Sequence, residues 1–166
     1  MRKLDLPSLK RSAAAYLGRY ASSSANLRQV LLRRVRNWAR LHPDTDISEK
    51  LPLVDEAVAF CVSAGLVDDA SFAAGRTATL RQRGWPARRI RMALGIKGVP
   101  ASLIDEALEN DAGDDDAAAL RFAARKRLGP WRGANREEKR HKDIATMARA
   151  GFSLSLARRT IDGEAD

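Results

Sequence analysis

The chain has 166 residues, about the length of one domain, and its 30 Lys and Arg against 21 Asp and Glu give a net charge of +9. Ala, Arg, Leu, Lys and Glu make up about half of it, whereas Val, Ile and Thr together number 18, a balance that excludes an all-β fold. The positive charge favours polyanions or acidic protein surfaces as partners.

Three helices are predicted in the first part of the chain, over residues 8–20, 25–40 and 53–64. The second follows three serines that can cap it and has an apolar stripe at helical spacing, and the third ends at Gly65. The stripe consists of Leu27, Val30, Leu31, Val35 and Trp38. Residues 41–51 are polar and include a proline, which predicts a loop.

Six further helices are predicted, over residues 69–83, 86–98, 100–109, 117–128, 136–150 and 153–161. Asp68 and Asp69 stand at the start of the fourth helix, where carboxylates bind unpaired N–H groups, so we interpret them as caps and not as a catalytic pair. On this helix Phe72 and Leu80 are expected to face the core. Acidic residues 111–116 separate the sixth helix from the last three.

Two internal matches indicate a repeat of about 50 residues. Gly98 and Gly151 each have an apolar residue four positions before them and a leucine five positions after them. The strings VDEAV at 54–58 and IDEAL at 104–108 also match. We therefore expect an all-α fold, a tandem array of three three-helix repeats that is elongated and curved, with repeats at 1–66, 67–110 and 111–166.

Basic residues recur in every predicted repeat. Residues 1–40 carry ten basic and one acidic residue, 76–100 carry seven and none, and 119–160 carry twelve and three. Several lie three or four positions apart on one helix face, where they can bind phosphates or carboxylates. The candidate binding residues are Arg33, Arg36, Arg40, Arg88, Arg89, Arg91, Lys97, Arg125, Lys126, Lys139, Arg140 and Lys142.

Catalytic and metal sites are not indicated. Cys61 lies in an apolar helix, His42 and His141 are far apart in the chain, and no phosphate-binding Gly-rich loop is present. The acidic run at 114–116 lacks the spaced ligands of a calcium loop and is interpreted as a solvated linker or a contact for a basic partner. We expect no enzyme activity and no cofactor.

The longest uncharged run has 11 residues, which is too short to cross a membrane, and no signal-peptide core is found. The expected compartment is the cytoplasm.

Several of these segments resemble the RecX family of regulatory proteins, bacterial modulators of the RecA recombinase. The resemblance rests on AAYLGR at 14–19 with SANLR at 24–28, GLVDDASFA at 65–73, GWPARRI at 84–90 and MARAGFS at 147–153. The central string is the most specific. Asn26 stands where the family usually has an acid, and the segment from about residue 38 to 50 is longer than expected.

The resemblance implies a three-helix-repeat protein that binds the RecA filament on single-stranded DNA and lowers RecA activity. The expected partners are that filament and, weakly and without sequence preference, single-stranded DNA, with the protein acting as a monomer. Since the chain has only nine aromatic residues, phosphate contact is expected in place of base stacking.

Three other functions are compatible with the composition. A helix-turn-helix DNA reader could use residues 86–98 and 100–109, but the second helix of that pair begins with Ala101 and Ser102 and then has Asp105, which disfavours base readout. A basic scaffold for RNA or a ribosome is also compatible, as is a nucleic-acid binder that does not depend on RecA.

Overall fold

The computed structural model describes residues 3–164, and within that range the chain forms nine α-helices and two 3-10 turns, with no strand. The helices are α1 (Leu6–Leu17), α2 (Ser24–Arg40), α3 (Leu51–Ser63), α4 (Asp69–Gln82), α5 (Ala87–Ile96), α6 (Ala101–Glu109), α7 (Asp115–Lys126), α8 (Arg136–Arg149) and α9 (Leu154–Asp162). The 3-10 turns are Ser48–Lys50 and Gly129–Trp131.

Helices α1, α3 and α7 begin two residues before their predicted starts. In α1 and α3 the first turn includes a proline, Pro7 and Pro52, because that turn does not use the N–H that proline lacks. In α7 the Asp114 carboxylate accepts the Ala117 N–H at 2.8 Å, so the cap lies inside the predicted acidic linker. The predicted loop at 41–51 also departs from expectation, since it holds a 3-10 turn that leads directly into α3.

Four helices end at a glycine in the left-handed region, and each glycine lies two residues after the last helical residue. They are Gly65, Gly84, Gly98 and Gly151, with φ between 69° and 104°. Each donates its N–H to the carbonyl three positions earlier. At Gly98 a Cβ atom would lie 2.5 Å from the Ala25 Cβ, so both backbone conformation and space require glycine there.

The chain divides into two compact units, and the first consists of Met1–Ala73 and Gly95–Leu103. Its core is formed where α1, α2 and α3 pack together. The largest fully buried side chains are Leu9, Leu27, Leu31, Val35 and Val54. Val30 and Trp38 of the predicted stripe are half-buried, as is Phe72, which was expected in the core. Cys61 is buried, and burial raises the pKa of its thiol.

The second unit consists of Ala74–Leu94 and Ile104–Asp166. Phe122, Met147 and Ile161 are central to its core, and the Phe122 and Phe152 rings lie 5.5 Å apart between centroids. Two buried charged groups stabilise this unit. Arg81 binds Asp111 and Asp115, and Asp143 binds Arg132 and the Gly129 N–H.

None of the helices in the described range is both long enough and apolar enough to cross a membrane.

Candidate functional site

The basic row predicted on α2 is exposed to solvent. Arg33, Arg36 and Arg40 project from the helix, and no carboxylate of residues 3–164 forms an ion pair with any of them. Arg28, on the same helix, pairs with Asp55 of α3 at 2.6 Å. The three predicted arginines therefore remain available to an external anion.

The four candidates on α5 and just after it differ in their contacts. Arg88 is exposed, whereas the Arg89 guanidinium lies 3.7 Å from the centroid of the Trp85 ring and Arg91 forms an ion pair with Asp105. Lys97 belongs to the first unit, where its ammonium group donates to the Asn26 Oδ1 at 3.3 Å. Of these four residues, Arg88 is the best placed to meet a phosphate.

Most of the candidates on α7 and α8 have partners within their own unit. Arg125 donates to the Arg83 carbonyl and lies over the Phe122 ring. Arg140 binds both oxygens of Asp162, and these hydrogen bonds raise the pKa of the guanidinium and lower that of the carboxyl. Lys139 pairs with Glu138. Lys126 and Lys142 are exposed and pair with no acid in the described chain.

Basic residues outside the predicted rows line two cavities of the first unit. Lys3, Arg11 and Arg34 belong to this set, and Arg33 contributes to the larger cavity. Arg34 follows Val30 by four residues and precedes Trp38 by four, a helical spacing that could have indicated it. Arg34 is not among the predicted candidates, which on this helix are Arg33, Arg36 and Arg40.

The Asp68–Asp69 pair is structural, and its two carboxylates bind different helices. Asp68 accepts the Ser71 N–H at 2.6 Å, and this backbone hydrogen bond lowers the pKa of its carboxyl. Asp69 instead accepts the Ser24 N–H at 2.7 Å and its hydroxyl at 2.8 Å, at the start of α2. The prediction of two caps on α4 is correct for Asp68 and wrong for Asp69.

The Asn26 side chain, near the start of α2, forms hydrogen bonds with three neighbouring side chains. Its amide nitrogen donates to the Tyr16 hydroxyl at 3.1 Å and to the Ser22 hydroxyl at 2.9 Å, while its oxygen accepts from Lys97. An amide can both donate and accept, which a carboxylate cannot. Asn26, at a position where the resemblance implies an acid, therefore uses both capacities of its amide in this network.

The acidic run at 114–116 forms the cap and first turn of α7, so it is not a linker, although Asp114 and Asp116 are exposed to solvent as predicted. Its use as a contact for a basic partner stays a prediction. Asp114 caps α7, Asp115 accepts from Arg81 at 2.6 Å and from the Ala87 N–H at 2.8 Å, and Asp116 pairs with Arg159. Within residues 3–164 no group of three His, Cys, Asp or Glu side chains is arranged to hold a metal ion.

Replacing Arg88, Arg89 and Arg91 by alanine is expected to flatten the salt dependence of binding to single-stranded DNA. The log–log slope should change by about 0.7 for each phosphate that the variant no longer neutralises, and alanine preserves the helix. We expect Arg88→Ala alone to account for most of the change, since Arg89 and Arg91 have internal partners. Titrations of oligo(dT) at several salt concentrations measure the slope.

The matched control for this experiment is Arg28→Ala, which removes an arginine that already pairs with Asp55. Its slope should equal that of the unmodified protein. A triple variant with an unchanged slope would assign the α5 arginines to protein contacts or to solvent.

Comparisons with known proteins agree with one another. The family model described as "RecX, second three-helix domain" matches residues 68–108, which include α4 to α6. A regulatory protein RecX of Myxococcus xanthus is 38% identical over 97% of this chain and 88% of the relative. One of Agrobacterium fabrum is 28% identical over 88% of this chain and 78% of the relative.

A crystal structure of a regulatory protein RecX superposes with a TM-score of 0.65 at 20% identity, covering 95% of this chain and 74% of that chain. At this identity the similarity concerns the fold. Together with the family model, it confirms the all-helical fold built from three-helix repeats.

Proposed function

The chain belongs to the RecX family of regulatory proteins, and on that premise we propose that it binds the RecA filament on single-stranded DNA and lowers RecA's recombinase and ATPase activity. In this role it modulates recombination, DNA repair and the SOS response in the cytoplasm. The protein acts as a regulator and not as an enzyme. Its relatives are named regulatory proteins, and the name itself specifies no reaction.

The observation that carries this proposal concerns the candidate cations that form no side-chain hydrogen bond, ion pair or cation–π contact within residues 3–164. Six of the twelve candidates meet this description: Arg33, Arg36 and Arg40 on α2, Arg88 on α5, Lys126 on α7 and Lys142 on α8. Side chains that carry charge and have no defined base-reading geometry favour contact with phosphates or carboxylates of any sequence. A RecA filament on DNA offers both kinds of anion.

The helix-turn-helix alternative is further weakened at α6. Asp105, near the start of that helix, pairs with Arg91 in the structure, and Ala101 and Ser102 precede it. A helix that reads bases needs long donor side chains at these positions. Nucleic-acid binding without RecA remains the second candidate, because the same exposed cations favour it.

A binding experiment separates the two candidates. Biotinylated oligo(dT) is immobilised with and without RecA and a non-hydrolysable ATP analogue, and binding of this protein is measured at one salt concentration. We expect an apparent Kd for the filament at least about tenfold lower than for naked DNA, a difference of about 1.4 kcal/mol. Equal affinities would contradict the RecA-directed function and favour a general nucleic-acid binder.

A further inference from the structure

A groove runs beside α2 in the first unit, formed by two adjoining cavities that share Lys3 and Arg34 on their walls. The cavities have volumes of about 600 and 440 Å³. Residues from α1 line the smaller one, and residues from α2 line most of the larger one. Cavity volumes of this size are typical of sites that bind a ligand or a cluster of side chains.

Part of the lining of the larger cavity is apolar, and we call this part its floor. The floor consists of Leu4, Val30, Trp38 and Leu41. The last three follow one face of α2 and its C-terminal cap, and the Leu41 side chain is 79% exposed. From Val30 to Arg40 the helix rises about 15 Å, the length of about three turns, and Leu41 follows as its C-terminal cap residue. A leucine this exposed, next to a half-buried tryptophan, is the kind of apolar surface that a partner helix covers.

The basic lining residues of the groove are Lys3, Arg11, Arg33 and Arg34, and we call them its rims. Asp5 is the one carboxylate among the described residues on its walls. The Asp5 carboxylate already accepts the Ser8 N–H at 3.0 Å as the cap of α1. Asp5 offsets part of the charge of Lys3 and Arg11, but four cations against one carboxylate leave the groove with a net positive charge.

We propose that this groove binds an acidic amphipathic helix of a partner protein. Its apolar side chains cover Val30, Trp38 and Leu41, and its carboxylates, three or four residues apart, pair with Lys3, Arg33 and Arg34. Charge complementarity and the length of the apolar stripe define this occupant.

Nucleic acid fits the same groove less well. The Trp38 ring stacks on His42, with centroids 4.0 Å apart and planes 13° apart, so one face of the indole is not available to a base. A phosphate backbone gains nothing from the apolar floor, whereas an amphipathic helix uses both floor and rims. The Trp38 Nε1 is buried and has no acceptor among the described residues.

This inference does not rest on the proposed function, because its occupant is defined by chemistry and not by identity with RecA. Selection from a displayed library of random peptides of about 12 residues, about three helical turns, tests it with the full chain. We expect enrichment of peptides rich in Asp and Glu, with large apolar residues three and four positions apart. Recovery of no such class, or of basic or neutral sequences, would overturn the proposal.

The selected peptide is then titrated by fluorescence anisotropy against matched variants. Arg33→Glu with Arg34→Glu should raise the Kd at least about tenfold, whereas Arg36→Glu with Arg40→Glu changes the same charge on the same helix outside the groove and should change it far less. Leu41→Ser should also weaken binding. Leu154→Ser, at a leucine of α9 that is 49% exposed, should not.

Two results of these titrations would contradict the proposal. One is equal weakening in both double variants, which would show attraction by net charge alone. The other is displacement of the peptide by oligo(dT), if the binding of oligo(dT) is weakened by Arg33→Glu with Arg34→Glu as much as the binding of the peptide is. That result would make the groove a nucleic-acid site. Circular dichroism of each variant verifies that the helices are intact.

Discussion

Replacing Arg81 by methionine is expected to lower the free energy of unfolding by about 3 kcal/mol, since the change removes one partner of a buried ion pair. The Arg81 side chain is 8% exposed and donates to Asp111 at 3.1 Å, to Asp115 at 2.6 Å and to the Trp85 carbonyl at 3.2 Å. Methionine fills a similar volume but leaves both carboxylates without their cation. Urea denaturation measures the decrease.

The control for this variant is Arg91→Met, because Arg91 and Asp105 form an ion pair in which both side chains are about half exposed. Exposed pairs contribute at most about 1 kcal/mol, so this decrease should be much smaller. Adding Asp111→Asn and Asp115→Asn to Arg81→Met should recover part of the stability. If Arg81→Met and Arg91→Met lowered the free energy of unfolding equally, burial of the Arg81 ion pair would not explain its contribution to stability.

Replacing Asp143 by alanine is expected to cost about 2 to 3 kcal/mol. The Asp143 side chain is 1% exposed and accepts from Arg132 at 2.6 and 2.7 Å and from the Gly129 N–H at 2.9 Å. Alanine leaves the Gly129 N–H and the guanidinium without an acceptor. The partial exposure of Arg132 places the expected cost at the lower end for buried pairs.

The same pair makes stability depend on pH. Burial opposes the charge on Asp143, but Arg132 and the Gly129 N–H hold the pKa of its carboxyl below the ordinary 3.8. A lowered pKa in the folded state contributes stability above the ordinary value, and this contribution is lost as the pH falls below about 4. Denaturation of Asp143→Ala at pH 7 and in acid should show a difference from the unmodified protein that shrinks in acid.

Asp162→Ala is the matched control, because Asp162 pairs with Arg140 on the surface. Its denaturation midpoint should shift much less than that of Asp143→Ala. A destabilisation of Asp143→Ala that is the same at pH 7 and in acid would contradict the electrostatic role of the carboxylate.

Much of the fold could be predicted because the helix signals are local. Gly65, Gly84, Gly98 and Gly151 each terminate a helix close to the predicted position. The first residue of a helix was harder to predict where a proline lies in the first turn, as Pro7 does in α1. Proline is compatible both with the turn before a helix and with its first residues. The division into three repeats at 1–66, 67–110 and 111–166 stays a prediction.

The candidate site was harder to predict because ion pairs join residues far apart in the chain. Arg140 and Asp162 are 22 positions apart, and Asp69 binds the start of a helix 45 positions earlier. Helical spacing places a side chain on a face but does not show which acid approaches that face. The twelve candidate residues therefore include exposed cations such as Arg88 and also cations such as Arg140, which pairs with an acid of the same unit.

The central claim is that this protein lowers RecA activity, and RecA's ATP hydrolysis on single-stranded DNA tests it most directly. Increasing amounts of the protein are added to preformed filaments at constant salt, with an unrelated basic protein of similar net charge as the control. We predict that the rate of hydrolysis falls with added protein and is not lowered by the control. An unchanged rate, or equal inhibition by the control, would contradict the account.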